Sequence, residues 1–117
     1  MNAKLVQALE GIGGSRWQKN GNDRIYFNDL PEFYGLHTNH YNSGNVASAT
    51  LNGETISNSK ASKIIHDLSA LKVWYDVTTD EFVFKGWVAA IAEQYATPIV
   101  AEIQRRAAEW ESQHATI

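Results

Sequence analysis

A chain of 117 residues with 44% hydrophobic and 20% charged residues fits one folded domain and is too apolar for a disordered segment. Its formal net charge of −3 argues against a strongly basic nucleic-acid-binding protein, although it leaves room for a local basic patch. The absence of cysteine excludes disulfides, thiolate nucleophiles and cysteine-ligated metal sites.

The N-terminal third predicts a helix followed by a β-hairpin. Residues 3–11 carry apolar side chains at helical spacing, and glycines follow them, so a short amphipathic helix is expected there. Residues 15–19 and 24–28 alternate as two strands, and the sequence NGND between them is typical of a hairpin turn. The segment 29–36 then interrupts the sheet with a single helical turn.

The middle of the chain predicts further strands and a second helix. Residues 37–57 are small and polar, with turns at 42–45 and 52–53, which indicates an exposed or edge region of sheet. Ser57 or Asn58 can cap the helix that follows, because a side-chain oxygen there accepts a backbone N–H. Four apolar residues form the buried stripe of this helix: Ile64, Ile65, Leu68 and Leu71.

The last third predicts a second hairpin and a long helix. Residues 72–77 and 81–86 alternate as two strands around a short turn. Pro98 lies inside the following helical pattern, so the segment forms either one kinked helix or two helices joined at Thr97, and the unbroken apolar stripe favours one helix. That stripe consists of Val88, Ile91, Tyr95, Ile99, Ile103, Ala107 and Trp110.

The predicted fold is therefore an α+β single domain over residues 1–117. It has a mainly antiparallel sheet built of hairpins, a short N-terminal helix, a middle helix, and a long C-terminal helix that is kinked or broken near Pro98. One set of aromatic and apolar residues is expected on the buried face of the sheet: Trp17, Ile25, Phe27, Trp74 and Phe82.

The first hairpin carries the main candidate binding site, and its faces depend on the number of residues in the turn. A turn with an even number of residues creates a basic and aromatic platform that can stack bases and contact phosphates. The residues on that face are then Trp17, Lys19, Arg24 and Tyr26.

A turn with an odd number of residues instead aligns Trp17 with Ile25 and Phe27 in the core. We favour this register, because it gives the cleaner apolar face and burial specifies register strongly. The residues on the opposite, exposed face are then Arg16, Gln18, Arg24 and Tyr26.

Motifs for catalysis or metal binding are weak in this sequence. His37 and His40 are three residues apart, which on a strand puts them on opposite faces, and no third ligand is evident. No serine lies in a nucleophile elbow, and no pair of carboxylates has a compelling setting. We therefore expect no metal and no cofactor, and the sequence favours a non-enzymatic protein while leaving open a small hydrolase with a dispersed site.

Three blocks within residues 11–86 resemble small proteins of phages, prophages and other bacterial mobile elements. The blocks are GGSRWQKNGNDRIYFNDL, YNSGNVASATLNGETISNSKASKII and KVWYDVTTDEFVFKG. The resemblance carries no established activity, but it implies a bacterial, intracellular setting and an accessory role. Small accessory phage proteins often act by binding, including as inhibitors of host defence.

The leading expectation is thus a cytoplasmic binding protein that engages a bacterial or phage protein partner. A nucleic-acid-binding module is the alternative, and its phosphate contacts would come from Arg16, Lys19, Arg24, Lys60, Lys63 and Lys72. No apolar run approaches the roughly 18 residues of a membrane span, so no membrane partner is expected. The oligomeric state stays open. The candidate binding residues are Arg16, Lys19, Arg24, Tyr26, Tyr34 and Tyr41.

Overall fold

The structure is a computed structural model that describes residues 2–114, and its elements confirm the predicted α+β fold. The helices are α1 (Ala3–Gly11), α2 (Leu30–Tyr34), α3 (Asn58–Ser69) and α4 (Ala89–Gln113). The strands are β1 (Ser15–Lys19), β2 (Asn22–Phe27), β3 (Leu36–His40), β4 (Val46–Leu51), β5 (Glu54–Ile56), β6 (Lys72–Asp76) and β7 (Glu81–Lys85).

The strands form two antiparallel sheets. A four-stranded sheet has the order β1-β2-β6-β7, and a three-stranded sheet has the order β3-β4-β5. In the larger sheet β2 and β6 are central, although α2, the smaller sheet and α3 separate them along the chain. The pairing of β2 with β6 therefore joins the first and second predicted hairpins into one surface.

The hydrophobic core lies on one face of the larger sheet, which we call the inner face. Ile25 and Phe27 of β2 and Val73 and Tyr75 of β6 are buried there. The long helix α4 packs against α1, α2 and β7, and α3 packs against β4. Burying each such apolar side chain contributes about 1.5–3 kcal/mol.

Helix α4 is a single helix that contains Pro98, which decides between the two sequence alternatives. Proline lacks the N–H that would bond to the carbonyl of Gln94. The helix continues because Tyr95 and Ile99, on either side of this gap, are both buried in the core. Neither α4 nor any other helix in the described range combines the length and apolar character needed to cross a bilayer.

The apolar stripe of α4 is buried over only part of its predicted length. Ile99, Ile103 and Ala107 are buried, as the spacing predicts. Val88 and Ile91, at the N-terminal end of the stripe, are exposed. The N-terminal end of α4 therefore extends beyond the core.

Side-chain caps fix the start of two helices. The Asn2 Oδ1 atom accepts a hydrogen bond from the Leu5 N–H at 3.0 Å, at the start of α1. The Ser57 Oγ atom accepts one from the Lys60 N–H at 3.1 Å, at the start of α3. Ser57 is thus the cap of the two candidates, and such a cap contributes about 1 kcal/mol.

The register of the first hairpin contradicts the favoured prediction. Its turn has two residues, Asn20 and Gly21, with φ angles of 52° and 81°, and two positive φ angles are the signature of a type I′ turn. Trp17 consequently lies opposite Arg24 and is 60% exposed. The prediction that Trp17 packs in the core with Ile25 is wrong.

The position of Trp74 also differs from the prediction. The register between the central strands places Trp74 opposite Tyr26, on the face away from Ile25 and Val73. The predicted set of residues on the buried face is therefore wrong for Trp74 as well as for Trp17. Trp74 is nevertheless only 8% exposed, because neighbouring side chains on its own face cover it.

Candidate functional site

The strand register defines a second face of the larger sheet, opposite the core, which we call the outer face. Its aromatic residues come from three adjacent strands, and its charged residues come from all four. The outer face includes Trp17 and Lys19 of β1, Arg24 and Tyr26 of β2, Lys72, Trp74 and Asp76 of β6, and Glu81, Val83 and Lys85 of β7.

Arg24 and Tyr26 cover Trp74 at the centre of the outer face. The Arg24 Cζ atom lies 4.9 Å from the centroid of the Trp74 ring, a cation–π distance. The rings of Tyr26 and Trp74 have centroids 5.6 Å apart and are tilted by 39°. The Arg24 Nη1 atom also donates a hydrogen bond to the Tyr26 hydroxyl at 3.1 Å. These contacts hold the guanidinium of Arg24 in a fixed position on the face.

Arg24 lies directly opposite Asp76 across β2 and β6, but the two side chains form no ion pair. Within residues 2–114, the ion pairs of the protein do not include Arg24. On the same face, the buried donors Arg24 Nε and Trp74 Nε1 have no hydrogen-bond partner within residues 2–114. An anion that contacts Arg24 would therefore not have to displace a carboxylate.

Trp17 lines two neighbouring pockets, and Tyr26 also lines both. The smaller pocket has a volume of about 210 Å³, and two cationic and two amide side chains contribute to its walls: Lys19, Arg24, Asn20 and Asn22. The larger pocket has a volume of about 580 Å³ and is mainly apolar. Its further walls come from Phe27, Asn28, Leu30, Pro31, Ile65, Leu68, Ser69, Leu71, Lys72 and Val73. The exposed indole of Trp17 therefore stands beside a cationic surface and a mostly apolar cleft.

The outer face is locally basic although the whole chain is acidic. It carries four cations, from Lys19, Arg24, Lys72 and Lys85, and two carboxylates, from Asp76 and Glu81. The two carboxylates lie opposite each other across β6 and β7. The cations Lys19 and Arg24 lie beside Trp17, so the positive charge is found next to the exposed aromatic ring.

Arg16 does not join this face. It lies on the inner side of the hairpin, where its Nε and Nη2 atoms donate to the two carboxylate oxygens of Asp23 at 3.0 and 2.9 Å. Its Nη1 atom is also 3.8 Å from a carboxylate oxygen of Glu10. The hydrogen bond from Arg16 lowers the pKa of Asp23 from its ordinary value. Arg16 thus has a structural contact that occupies its guanidinium.

Replacing Asp23 with asparagine should lower the free energy of unfolding by about 1 kcal/mol at neutral pH, because one half of a partly exposed, charged hydrogen-bond pair is lost. The pKa of Asp23 is lowered in the folded state, so its stabilising contribution is present above the ordinary value of 3.8 and is lost as the pH falls through the folded-state pKa. Urea unfolding midpoints at neutral pH and at about pH 2 should therefore differ between wild type and Asp23→Asn only at neutral pH.

The matched control is Glu93→Gln, which removes one negative charge from an exposed position on α4. This variant should unfold like wild type at both pH values. A difference between wild type and Asp23→Asn that persists undiminished in acid would contradict the ion-pair explanation.

The two other predicted binding residues lie away from the outer face. Tyr34 is half-buried, and its ring packs edge-on against Tyr95 with centroids 5.1 Å apart. Tyr41 is exposed in the turn between β3 and β4, where its N–H donates to the Asn45 carbonyl at 2.8 Å. The structure therefore brings together Lys19, Arg24 and Tyr26 of the predicted set.

The histidines of the β3–β4 hairpin make local contacts. His40 hydrogen-bonds through its ring nitrogens to Thr38 Oγ1 at 2.9 Å and to the Gly44 carbonyl at 3.0 Å. His37 Nδ1 lies 3.4 Å from a carboxylate oxygen of Glu32. In the described part of the chain, histidine and carboxylate side chains form no group of three that could hold a metal ion.

The sequence pattern did not predict a second exposed apolar surface. Trp87 is 95% exposed and stands next to Val88 and Ile91, which are also exposed; we call these three residues the Trp87 cluster. They line a pocket of about 230 Å³ together with residues of α3 and α4. Trp87 follows Gly86 and precedes α4, so neither strand alternation nor helical spacing gives its orientation.

The polar end of that pocket is an ordered hydrogen-bond pair. The Tyr95 hydroxyl donates to Asp67 Oδ2 at 2.8 Å, and Lys63 Nζ lies at the same distance from that oxygen. Burial, followed by the bond to Asp67, raises the pKa of Tyr95 to about 12. The hydrogen bond from Lys63 is the main cause that lowers the pKa of Asp67. The charge of Asp67 is therefore already balanced by Lys63, and its Oδ2 atom accepts two hydrogen bonds.

The fold and the outer face together define an α+β domain in which a four-stranded antiparallel sheet presents aromatic and basic side chains opposite its core. Comparisons with protein-family models, with curated proteins and with solved structures find no match to this chain.

Proposed function

We propose that this protein binds single-stranded nucleic acid on the outer face of its four-stranded sheet. The observation that supports this most strongly is the position of Trp17, which is 60% exposed on the same face as Lys19 and Arg24. An exposed indole can stack on any nucleic-acid base, and cations beside it can contact the adjoining phosphates.

The arrangement of the aromatic side chains suits consecutive bases. Trp17 lies opposite Arg24, and Tyr26 follows Arg24 by two residues, so Trp17 and Tyr26 are diagonal neighbours on adjacent strands. Diagonal side chains on paired strands are separated by roughly 7–8 Å, within reach of a common ligand. A single strand with splayed bases can therefore contact both rings while its backbone passes Lys19 and Arg24.

The same geometry favours single strands over duplexes. Stacking on Trp17 requires the face of an unpaired base, which a duplex hides between its neighbours. Duplex readers commonly insert a helix or a two-stranded ribbon into the major groove and approach with strong positive charge. This chain instead presents its cations on a sheet face, and its formal net charge is −3.

The charge content of the face sets an expected salt dependence. If Lys19, Arg24 and Lys72 each contact one phosphate of a single strand, the logarithm of affinity should fall with the logarithm of salt concentration with a slope of about −2. Raising salt from about 50 to about 200 mM should then weaken binding about 15-fold.

Fluorescence anisotropy with labelled single-stranded DNA and RNA oligonucleotides, titrated at these two salt concentrations, measures this slope directly. A duplex of the same length and label is the control, and it should bind more weakly than the single strand. Absence of single-strand binding at the lower salt concentration would rule out the proposed function.

A second candidate function is binding of a protein partner, and the exposure of Trp87 favours it. Exposed aromatic residues beside apolar neighbours are typical anchors of protein interfaces. In the setting that the sequence resemblance implies, the partner is a bacterial or phage protein, and inhibition of a host defence protein is one such role. A pull-down from bacterial lysate should enrich a protein on wild type and on Trp17→Ala but not on Trp87→Ala. No enrichment above background would count against this candidate.

A further inference from the structure

The larger sheet ends in an open edge at β7. This strand pairs with β6 on one side only, so the backbone groups of its other side face no strand of the described chain. Proteins usually block such edges with proline, a bulge, a very short strand or charged side chains, and β7 carries charges only at its two ends. β7 has the sequence EFVFK, and its pairing with β6 is regular throughout its five residues. The edge is therefore a template to which another strand can pair.

Both ends of β7 carry an unfavourable charge pairing within the single chain. Lys85 lies directly opposite Lys72, and Glu81 lies directly opposite Asp76. Like charges directly opposite each other destabilise a sheet. In residues 2–114, the ion pairs include neither Glu81 nor Lys85. Each end of β7 thus lacks a counter-charge.

We propose that β7 pairs with β7 of a second copy of this chain, antiparallel, about a two-fold axis through Val83. This pairing places Glu81 opposite Lys85 of the second copy, and Lys85 opposite Glu81 of the second copy. It also places Phe82 opposite Phe84, in both directions. The order of residues in β7 is therefore complementary to itself in charge and in aromatic character, which is what an isologous interface requires.

The other sheet edges do not offer this complementarity. Antiparallel self-pairing of β1 about Trp17 would place Arg16 opposite Gln18, with no opposite charges brought together. The edge strand β5 has only three residues. The edge strand β3 is interrupted by a register shift between Asn39 and His40. Of the edges in the described structure, β7 is the one that suits a second copy.

The pairing would also join the two outer faces. Residues directly opposite each other in an antiparallel pair point to the same side of the sheet, so both copies would present Trp17 on one side of a continuous sheet. If the outer face binds single-stranded nucleic acid as proposed above, one strand could contact both copies. The dimer itself is tested without nucleic acid, so its failure and the failure of nucleic-acid binding are distinguishable.

The test compares Glu81→Lys and Lys85→Glu by sedimentation equilibrium. Each variant places like charges at both ends of the β7–β7 pair, yet each places opposite charges across β6 and β7, facing Asp76 or Lys72 respectively. The fold of the single chain should therefore be maintained or stabilised in both variants. Wild type should approach twice its mass of 13.1 kDa as concentration rises, and each variant should raise the dissociation constant about tenfold or more.

Two further samples test whether opposite charges at the ends of β7 hold the dimer together. An equimolar mixture of Glu81→Lys with Lys85→Glu should form a heterodimer, because both ends of the pair then carry opposite charges. The double variant with both substitutions should dimerise with itself for the same reason. Thermal melts followed by circular dichroism confirm that each variant is folded.

The proposal is overturned if wild type stays at the monomer mass at its highest soluble concentration. It is also overturned if both single variants dimerise as wild type does, since another surface, such as the Trp87 cluster, would then hold the dimer. A mass that grows beyond the dimer would equally overturn it, because a two-fold pairing closes after two copies.

Discussion

Replacing Trp17 with alanine should weaken the binding of a single-stranded oligonucleotide by about 5- to 150-fold, because stacking of one base on an aromatic side chain contributes about 1–3 kcal/mol. The stability of the fold should change little, by about 0.5 kcal/mol or less, since Trp17 is 60% exposed and lies on the face opposite the core. Anisotropy titrations at constant salt measure the affinity, and urea unfolding measures the stability.

Trp87→Ala is the matched control for this experiment. It removes the same side chain from a position that is 95% exposed and that follows β7, outside the strands of the outer face. Binding should remain within about twofold of wild type, because no stacking contact is lost. Trp17→Phe should retain part of the affinity, since a smaller aromatic ring still stacks. Equal losses in Trp17→Ala and Trp87→Ala would contradict the assignment of the site to the outer face.

The type and order of the elements follow from local signals in the sequence. Ser57 starts α3 as a cap, and Asn-Gly turns close hairpins at residues 20–21 and 52–53. These signals are local because a cap or a type I′ turn depends on two to four neighbouring residues. Such features could be predicted well from the sequence.

The faces of the first hairpin were mispredicted because two rules gave opposite answers. The apolar alternation aligned Trp17 with Ile25, whereas the turn dipeptide Asn20-Gly21 placed it with Arg24. The turn prevailed because β1 is an edge strand whose inner side carries the Arg16–Asp23 pair in place of apolar residues. Without a core beneath β1, burial did not determine the register.

The candidate site depends on contacts between distant segments, which the sequence pattern does not encode. Trp74 lies on the outer face yet is buried, because Arg24 and Tyr26 of β2 cover it across the β2–β6 pairing. Arg24 and Trp74 are 50 positions apart along the sequence. Alternation along β6 separates Trp74 from Val73 and Tyr75, but only the pairing of β2 with β6 shows which side chains cover it.

The apolar spacing of the sequence also could not predict how much of α4 is buried in the core. Helical spacing identifies a face, but the length of that face that is buried depends on the elements that pack on it. Arg106 lies over the ring of Phe33, which belongs to α2. Trp110 lies so close to Gly11 of α1 that a Cβ atom there would overlap its ring. These contacts bury the middle and C-terminal parts of α4, and Ile91 lies outside them.

Replacing Ile103 with alanine should lower the free energy of unfolding by about 2–5 kcal/mol, because the substitution removes a fully buried side chain and leaves a cavity. Ile103 is 0% exposed, whereas Ile91 on the same helix is 41% exposed. Ile91→Ala should therefore cost less than about 1 kcal/mol. Both substitutions replace isoleucine with alanine within α4, so the contrast between them reports the difference in burial.

Urea unfolding followed by circular dichroism measures both variants, and an unchanged dependence on urea concentration would show that each still unfolds in one step. At low protein concentration the midpoint of Ile103→Ala should fall well below that of Ile91→Ala. Equal losses would mean that the N-terminal end of α4 is buried as deeply as its centre, contrary to this structure. A loss in Ile91→Ala that appears only at high protein concentration would instead show that a second copy covers this end of α4, because the substitution would then weaken an association that stabilises the folded chain.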